Sequence, residues 1–225
     1  MGERIKISAS DGFELNAYRA VPDGMAVRGG VVVIQEVWGV NRWVRSVVDR
    51  YAAHGYVAVA PAMFDRVDYG YESENYAPEQ FKIIGEMMQK FDQATALLDV
   101  AAAVGTAKQG GKVGITGYCF GGAISWRAAN KGMGLSAASG YYGGGVPNYI
   151  DLAPTIPLEM HYGNTDDSIP LEQVEQLKAR YPQVDIYTYD AGHGFCNSDR
   201  PASFKEVACT KASERTLAFF RQHLA

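Results

Sequence analysis

Cysteine is scarce in this chain: only Cys119, Cys196 and Cys209 occur in 225 residues. An odd number without zinc-like spacing argues against a disulfide framework or a thiolate metal site. It reads as three free thiols in a reducing cytoplasm. The four histidines include no pair with zinc-site spacing, so neither a metal nor an organic cofactor is expected. No apolar run is long enough to cross a membrane, and residues 1–6 lack the apolar core of a signal peptide. Excess positive charge is missing too. Lys and Arg total 21 against 25 Asp and Glu, a formal charge of −4, which argues against a general nucleic-acid partner. The remaining composition, 47% hydrophobic and 20% charged, is that of an ordinary soluble globule. Its length suits one substantial domain over residues 1–225.

The pattern along the chain predicts an α/β fold. Residues 4–9 and 13–21 alternate as an antiparallel hairpin around Ser10-Asp11-Gly12. Val31 to Ile34 is a continuous apolar run, as in a strand buried on both faces. Asn41 predicts an N-cap for a helix to about Ala53, with Trp43, Val44, Val47, Val48 and Tyr51 at helical spacing. Tyr56 to Ala60 reads as the next strand. The tyrosine-rich stretch 65–76 has no period and reads as a surface excursion. Pro78 predicts the start of a long helix, residues 79–104, broken or kinked near Gly85. Further strands are expected at 112–116, 135–141, 158–162 and 184–189, with helices over 122–129 and 212–224. Alternating strands and helices imply a mostly parallel sheet of about eight strands, covered on both faces, behind an antiparallel N-terminal hairpin.

Gly117-Tyr118-Cys119-Phe120-Gly121 carries the chemistry. It lies between an apolar strand and a helix-like segment, where a nucleophile elbow belongs, with cysteine in the nucleophile position. A buried cysteine is ordinarily only a small core residue. Here two later strand ends supply the partners a thiol nucleophile needs. Asp166 follows the strand 158–162, with Asp167 as rival acid; the Gly-x-x-Asp-x-x-Ile-Pro register favours Asp166. His193 follows the strand 184–189 between two glycines. His54, His161 and His223 read as structural. Nucleophile, acid and histidine therefore occur in the order of a hydrolase triad on successive post-strand loops.

On these motifs the chain resembles the dienelactone hydrolase (carboxymethylenebutenolidase) family of the α/β-hydrolase fold. Gln35-Glu36-Val37-Trp38-Gly39, Tyr141-Tyr142-Gly143, residues 163–170, Ala191-Gly192-His193-Gly194-Phe195 and the closing helix around 214–220 add to the likeness, which spans nearly the whole chain. The resemblance implies that Glu36 helps to deprotonate Cys119, and that the Val37 and Phe120 N–H groups form an oxyanion hole. It also implies a monomer acting on a small-molecule ester or lactone, with enol-lactones of the carboxymethylenebutenolide type first. Trp38, Phe64, Tyr76, Tyr142 and Phe195 are the expected apolar walls. The family's carboxylate-binding arginines are not matched. Residues 79–90 hold only Lys82 and Lys90 as basic groups, Asn197 stands where the family's second arginine is expected shortly after the histidine, and Gly194 replaces a serine. Arg66 and Arg200 are the alternative cations. A broad-specificity carboxylesterase is the rival reading, and a non-catalytic binding protein of the same fold a more distant one.

Overall fold

The computed structural model describes residues 2–225. Eight strands form a mostly parallel sheet with an antiparallel N-terminal pair, accompanied by six α-helices. The chain divides into two compact units, Met1–Val113 and Gly114–Ala225.

In the first unit, β1 (Glu3–Ser8) and β2 (Glu14–Ala20) pair antiparallel in the hairpin that the alternation predicted. β2 continues antiparallel to β4 (Tyr56–Pro61), and β3 (Gly29–Ile34) runs parallel to β4. Every residue of β3 and β4 is buried, which explains their unbroken apolar sequences. Helix α1 (Arg42–Ala53) starts where Asn41 caps it: the Val44 N–H donates to Asn41 Oδ1 at 3.2 Å. Its buried stripe is Trp43, Val44, Val47, Val48, Tyr51 and Ala52.

The expected long helix is instead two helices, and its break is not at Gly85. Helix α2 (Gln80–Lys90) passes through Gly85, and Phe91 turns the chain to an extended ψ of 117°. Asp92 then starts α3 (Gln93–Ala107) by accepting the N–H groups of Ala94 and Thr95 at 3.1 and 3.2 Å. A side chain that caps orphan N–H groups competes effectively with helix continuation, whereas one interior glycine costs only about 1 kcal/mol.

The excursion 65–76 is fastened rather than loose. Buried Asp65 accepts the Asn16 N–H and side-chain amide at 2.7 and 2.8 Å, and the Gly70 N–H at 2.9 Å. Asn41 donates to the Ser73 carbonyl at 3.0 Å and to the Tyr76 hydroxyl at 2.9 Å. The Ser73 N–H reaches the Trp38 carbonyl at 2.9 Å, and Gly39 bridges Glu72. Glu72 also binds Arg4 and, at 2.5 Å, Arg45. Burial raises the Glu72 carboxyl, but the two guanidinium partners outweigh it and hold it below its ordinary value. Its contribution is therefore present above about pH 4.5 and lost as the pH falls.

In the second unit, β5 (Val113–Tyr118), β6 (Ala137–Tyr141), β7 (Leu158–Gly163) and β8 (Asp185–Tyr189) pair in sequence order, all parallel. Helix α4 (Phe120–Lys131) follows β5, α5 (Leu171–Arg180) follows β7, and α6 (Glu206–Leu224) closes the chain. Helix α6 starts six residues before the predicted Ala212, because Ala208 and Cys209 extend the buried face of Ala212, Thr216 and Phe220. A buried polar network joins α6 to the sheet. Glu159 Oε1 accepts from Ser139 at 3.0 Å and from Thr216 at 2.6 Å, and lies 3.0 Å from His161 Nε2. His161 Nδ1 meets the Tyr189 hydroxyl at 2.8 Å. Every member has partners, as a polar group in a dry interior requires.

The expectation of three free thiols fails. Cys196 and Cys209 form a disulfide across 13 residues, with Cα atoms 4.8 Å apart, and Cys119 alone remains free. An odd count excludes complete pairing but not one pair. The spacing signalled nothing because the pair is brought together by the loop between β8 and α6.

Arg66 has partners within its own unit. It grips buried Asp99 with Nε and Nη2 at 2.8–3.1 Å, binds Asp11 at 2.8 and 3.0 Å, and lies 4.3 Å over the Phe13 ring. Burial pushes the Asp99 carboxyl up, against the pull of Arg66. Arg66→Ala would strand that carboxylate in the interior. It should lower unfolding free energy by about 3 kcal/mol in denaturant titration.

Candidate active site

Cys119 is the single residue between β5 and α4, and the turn forces it to φ 54° and ψ −114°. For a side chain other than glycine this conformation is strained and persists only where neighbours enforce it. Two glycines do so by permitting close approach. A Cβ on Gly117 would lie 2.0 Å from the Gly121 carbonyl oxygen, and one on Gly122 would lie 2.7 Å from the Tyr141 oxygen. The motif glycine Gly117 thus serves contact, and the positive φ falls on the cysteine itself. The Cys119 N–H donates to the Tyr141 carbonyl at 2.9 Å, while the Cys119 carbonyl accepts the Gly122 N–H at 2.9 Å. The thiol is partly exposed at the head of α4.

The loops after β7 and β8 meet at this thiol. The Asn164 N–H bonds the Tyr189 carbonyl at 2.8 Å, and the Thr165 N–H bonds the Ala191 carbonyl at 3.1 Å, tying the two loops together. His193 Nε2 lies 3.1 Å from Cys119 Sγ, and its Nδ1–H donates to Asp166 Oδ2 at 2.8 Å. Asp166 is 5% exposed, and its other oxygen accepts the Ser168 N–H at 2.8 Å. The rival Asp167 is exposed. Burial disfavours a charged imidazole, but the hydrogen bonds and charges of Asp166 and Cys119 outweigh it and push His193 up to about 10. The arrangement can therefore take a proton from sulfur and hold it as imidazolium.

The other predicted site residues fall into separate groups. In the second unit, Phe120 opens α4. The Tyr142 ring packs edge-on to His193 at 5.2 Å and to Phe195 at 5.2 Å, and both Tyr142 and Phe195 are fully buried. They pack behind the imidazole rather than forming open walls. Arg200 Nη1 lies 3.2 Å from where a Cβ on Gly194 would stand. Gly194 itself stands at φ 74°, a backbone conformation that favours glycine over the family's serine.

In the first unit, Glu36 is buried, Val37 is partly exposed, and both follow β3. Trp38 packs edge-on to Tyr76 at 5.1 Å and to Phe81 at 5.4 Å. Phe64 is core, held between Tyr71 and Phe91. Lys82 is exposed on α2, and Arg66 is committed to Asp99 and Asp11. Two contributors escaped the sequence reading. Phe81 is visible only once Trp38 is placed, and the Tyr141 carbonyl, which anchors Cys119, is a backbone group with no residue signature. Among the described residues, no three His, Cys, Asp or Glu side chains cluster as metal ligands.

The model of the dienelactone hydrolase family matches residues 15–224. A carboxymethylenebutenolidase of Pseudomonas putida is 30% identical, with 96% of this chain and 95% of the relative covered. A solved structure from Klebsiella pneumoniae, assigned to the dienelactone hydrolases, is 29% identical with a TM-score of 0.81, covering 98% of this chain and 99% of that one. A metagenomic dienelactone hydrolase-like promiscuous phosphotriesterase shares the fold at 21% identity and a TM-score of 0.79, covering 100% and 99%. With nearly its full length matched, the chain belongs to the dienelactone hydrolase family and is a hydrolase of ester or lactone bonds.

Proposed function

We propose that the protein hydrolyses a small ester or lactone through Cys119, His193 and Asp166, with a thioester intermediate. The observation that carries this reading is the continuous contact from sulfur to imidazole to carboxylate at 3.1 and 2.8 Å. His193 Nε2 holds the proton taken from sulfur while Sγ attacks the carbonyl carbon, and Asp166 steadies the imidazolium. The tetrahedral oxyanion is held by the Phe120 N–H, at the positive end of α4, and the family resemblance assigns the Val37 N–H as a second donor. Collapse expels the alkoxide or enolate, which takes the proton from His193. His193 then draws a proton from water, whose oxygen attacks the thioester and releases the acid and the thiol. The family resemblance assigns Glu36, a carboxylate removed from water, to assist the first proton transfer.

The first substrate choice is an enol-lactone of the carboxymethylenebutenolide type. The name of the Pseudomonas putida relative supports it, and so does chemistry, because an enolate leaves readily. A broader carboxylesterase is the second reading. It is favoured by the engagement of Arg66 with two carboxylates and by the lack of arginine on α2. An exposed ammonium such as Lys82 cannot reproduce a bidentate guanidinium grip on a substrate carboxylate.

Cys119→Ala should reduce turnover of p-nitrophenyl acetate by about a thousandfold or more in steady-state assays; undiminished turnover would remove the thiol mechanism. Asp166→Asn should lower kcat by about 10²–10⁴-fold. A group whose folded pKa is raised stabilises most below its unfolded value. The stability advantage of the native chain over Asp166→Asn should therefore be full below about pH 6.5 and shrink as the pH rises through about 10, by thermal unfolding. In a panel of substrates, a kcat/KM at least tenfold higher for the carboxylated enol-lactone than for neutral aryl esters is expected. Equal values would establish the esterase reading instead.

A further inference from the structure

His193 lies in the long connection between β8 and α6, flanked by Gly192 and by Gly194 at φ 74°. Glycine on both sides leaves the backbone of the histidine poorly determined by local sterics, so the ring is placed by what holds the loop at either end. Upstream, hydrogen bonds from Asn164 and Thr165 fasten Tyr189 and Ala191 to the loop that bears Asp166. Downstream, the backbone bonds from Gly194 to Ser203 are local turns: Asn197 to Gly194, Arg200 to Asn197, and Ser203 to Arg200. Several links reach beyond those turns, among them the following. Phe195 packs on Tyr142 and Tyr189, its carbonyl accepts the Lys205 N–H at 3.0 Å, and Cys196 is bonded to Cys209 in the first turns of α6. The last is covalent. It sits three residues from His193 and joins the loop to a helix that the Glu159–His161–Thr216 network locks to the sheet.

We propose that the Cys196–Cys209 disulfide is a positioning element for His193, giving the enzyme a fast oxidised state and a slow reduced state. A dithiol reductant delivers two electrons and two protons to the bond. The S–S bond breaks, thiols form on Cys196 and Cys209, and the reductant closes to its own disulfide. Cys119 is not a party to the exchange. Opening the link lengthens the free connection from His193 to α6, and misplacement of a proton-transfer group by about 1 Å is enough to cost up to about a hundredfold in rate. Substrate contacts are untouched, so the loss falls on kcat and not on KM. A compartment's thiol–disulfide poise would thereby set the activity.

The proposal rests on the reading of Cys119 and His193 as the working pair, and one set of measurements separates the two. Thiols titrated under denaturing conditions should number one in protein purified in air and three after treatment with dithiothreitol. After the reductant is removed anaerobically, kcat for p-nitrophenyl acetate should be about tenfold lower, with KM within about twofold, and oxidised glutathione should restore it. The double variant Cys196→Ser/Cys209→Ser should show the low kcat and no response to dithiothreitol; if it does not fold, the reduction arm decides alone. Three thiols in the air-purified protein, or an unchanged or raised kcat after complete reduction, would overturn the proposal. Full turnover by Cys119→Ala in the same assay would instead remove the underlying mechanism, whatever the thiol count.

Discussion

The second unit depends on one imposed backbone conformation, that of Cys119. Placing an ordinary side chain at φ 54° between β5 and α4 is unfavourable. The surroundings over-determine it, with an N–H bond to β6, a carbonyl bond into α4, and two glycines whose missing Cβ atoms let helix and strands close in. The result is a sulfur projected at a helix N-terminus with its own backbone pinned. From that point the rest is reach: a histidine 3.1 Å from the sulfur and an acid 2.8 Å from the histidine, each from a different strand end.

Electrostatics in the two units follow one rule. Carboxylates that are taken out of water are given specific partners. Asp99 has Arg66, Glu159 has two hydroxyls and an imidazole, Asp65 has three donors, and Asp166 has a backbone N–H and His193. Arg66 illustrates the consequence for binding. Its charge is spent within the protein, so a cation that a sequence comparison would offer to an anionic substrate is structurally committed.

Much of this was legible in the chain because its signals are local. The apolar runs of β3 and β4, the Asn41 cap and the order of Cys119, Asp166 and His193 each declare themselves within a few residues. The features that were misjudged depend on residues far apart or on small differences in competing local preferences. Asp92 outcompetes Gly85 as the helix breaker because a capping carboxylate satisfies two N–H groups. The Cys196–Cys209 bond needs the fold of the β8–α6 connection before its partners can be named. Arg66 looks like a solvated side chain until Asp11 and Asp99, 55 and 33 residues away, are placed around it. Phe64, Tyr142 and Phe195 are aromatic in either role, core or wall, and only burial distinguishes the two.

The division of the predicted long helix has a mechanical meaning. Asp92 gives α3 its own start, so the end of α2 is not a link in a continuous hydrogen-bonded rod. Only Ile84 and Met87 of α2 are buried, while Phe81, Ile83 and Met88 remain substantially exposed. Such a segment can fray as a separate cooperative element, with its neighbour's ladder intact. Fraying along Gln80 to Lys90 would leave the separately capped helix that carries buried Asp99 in place.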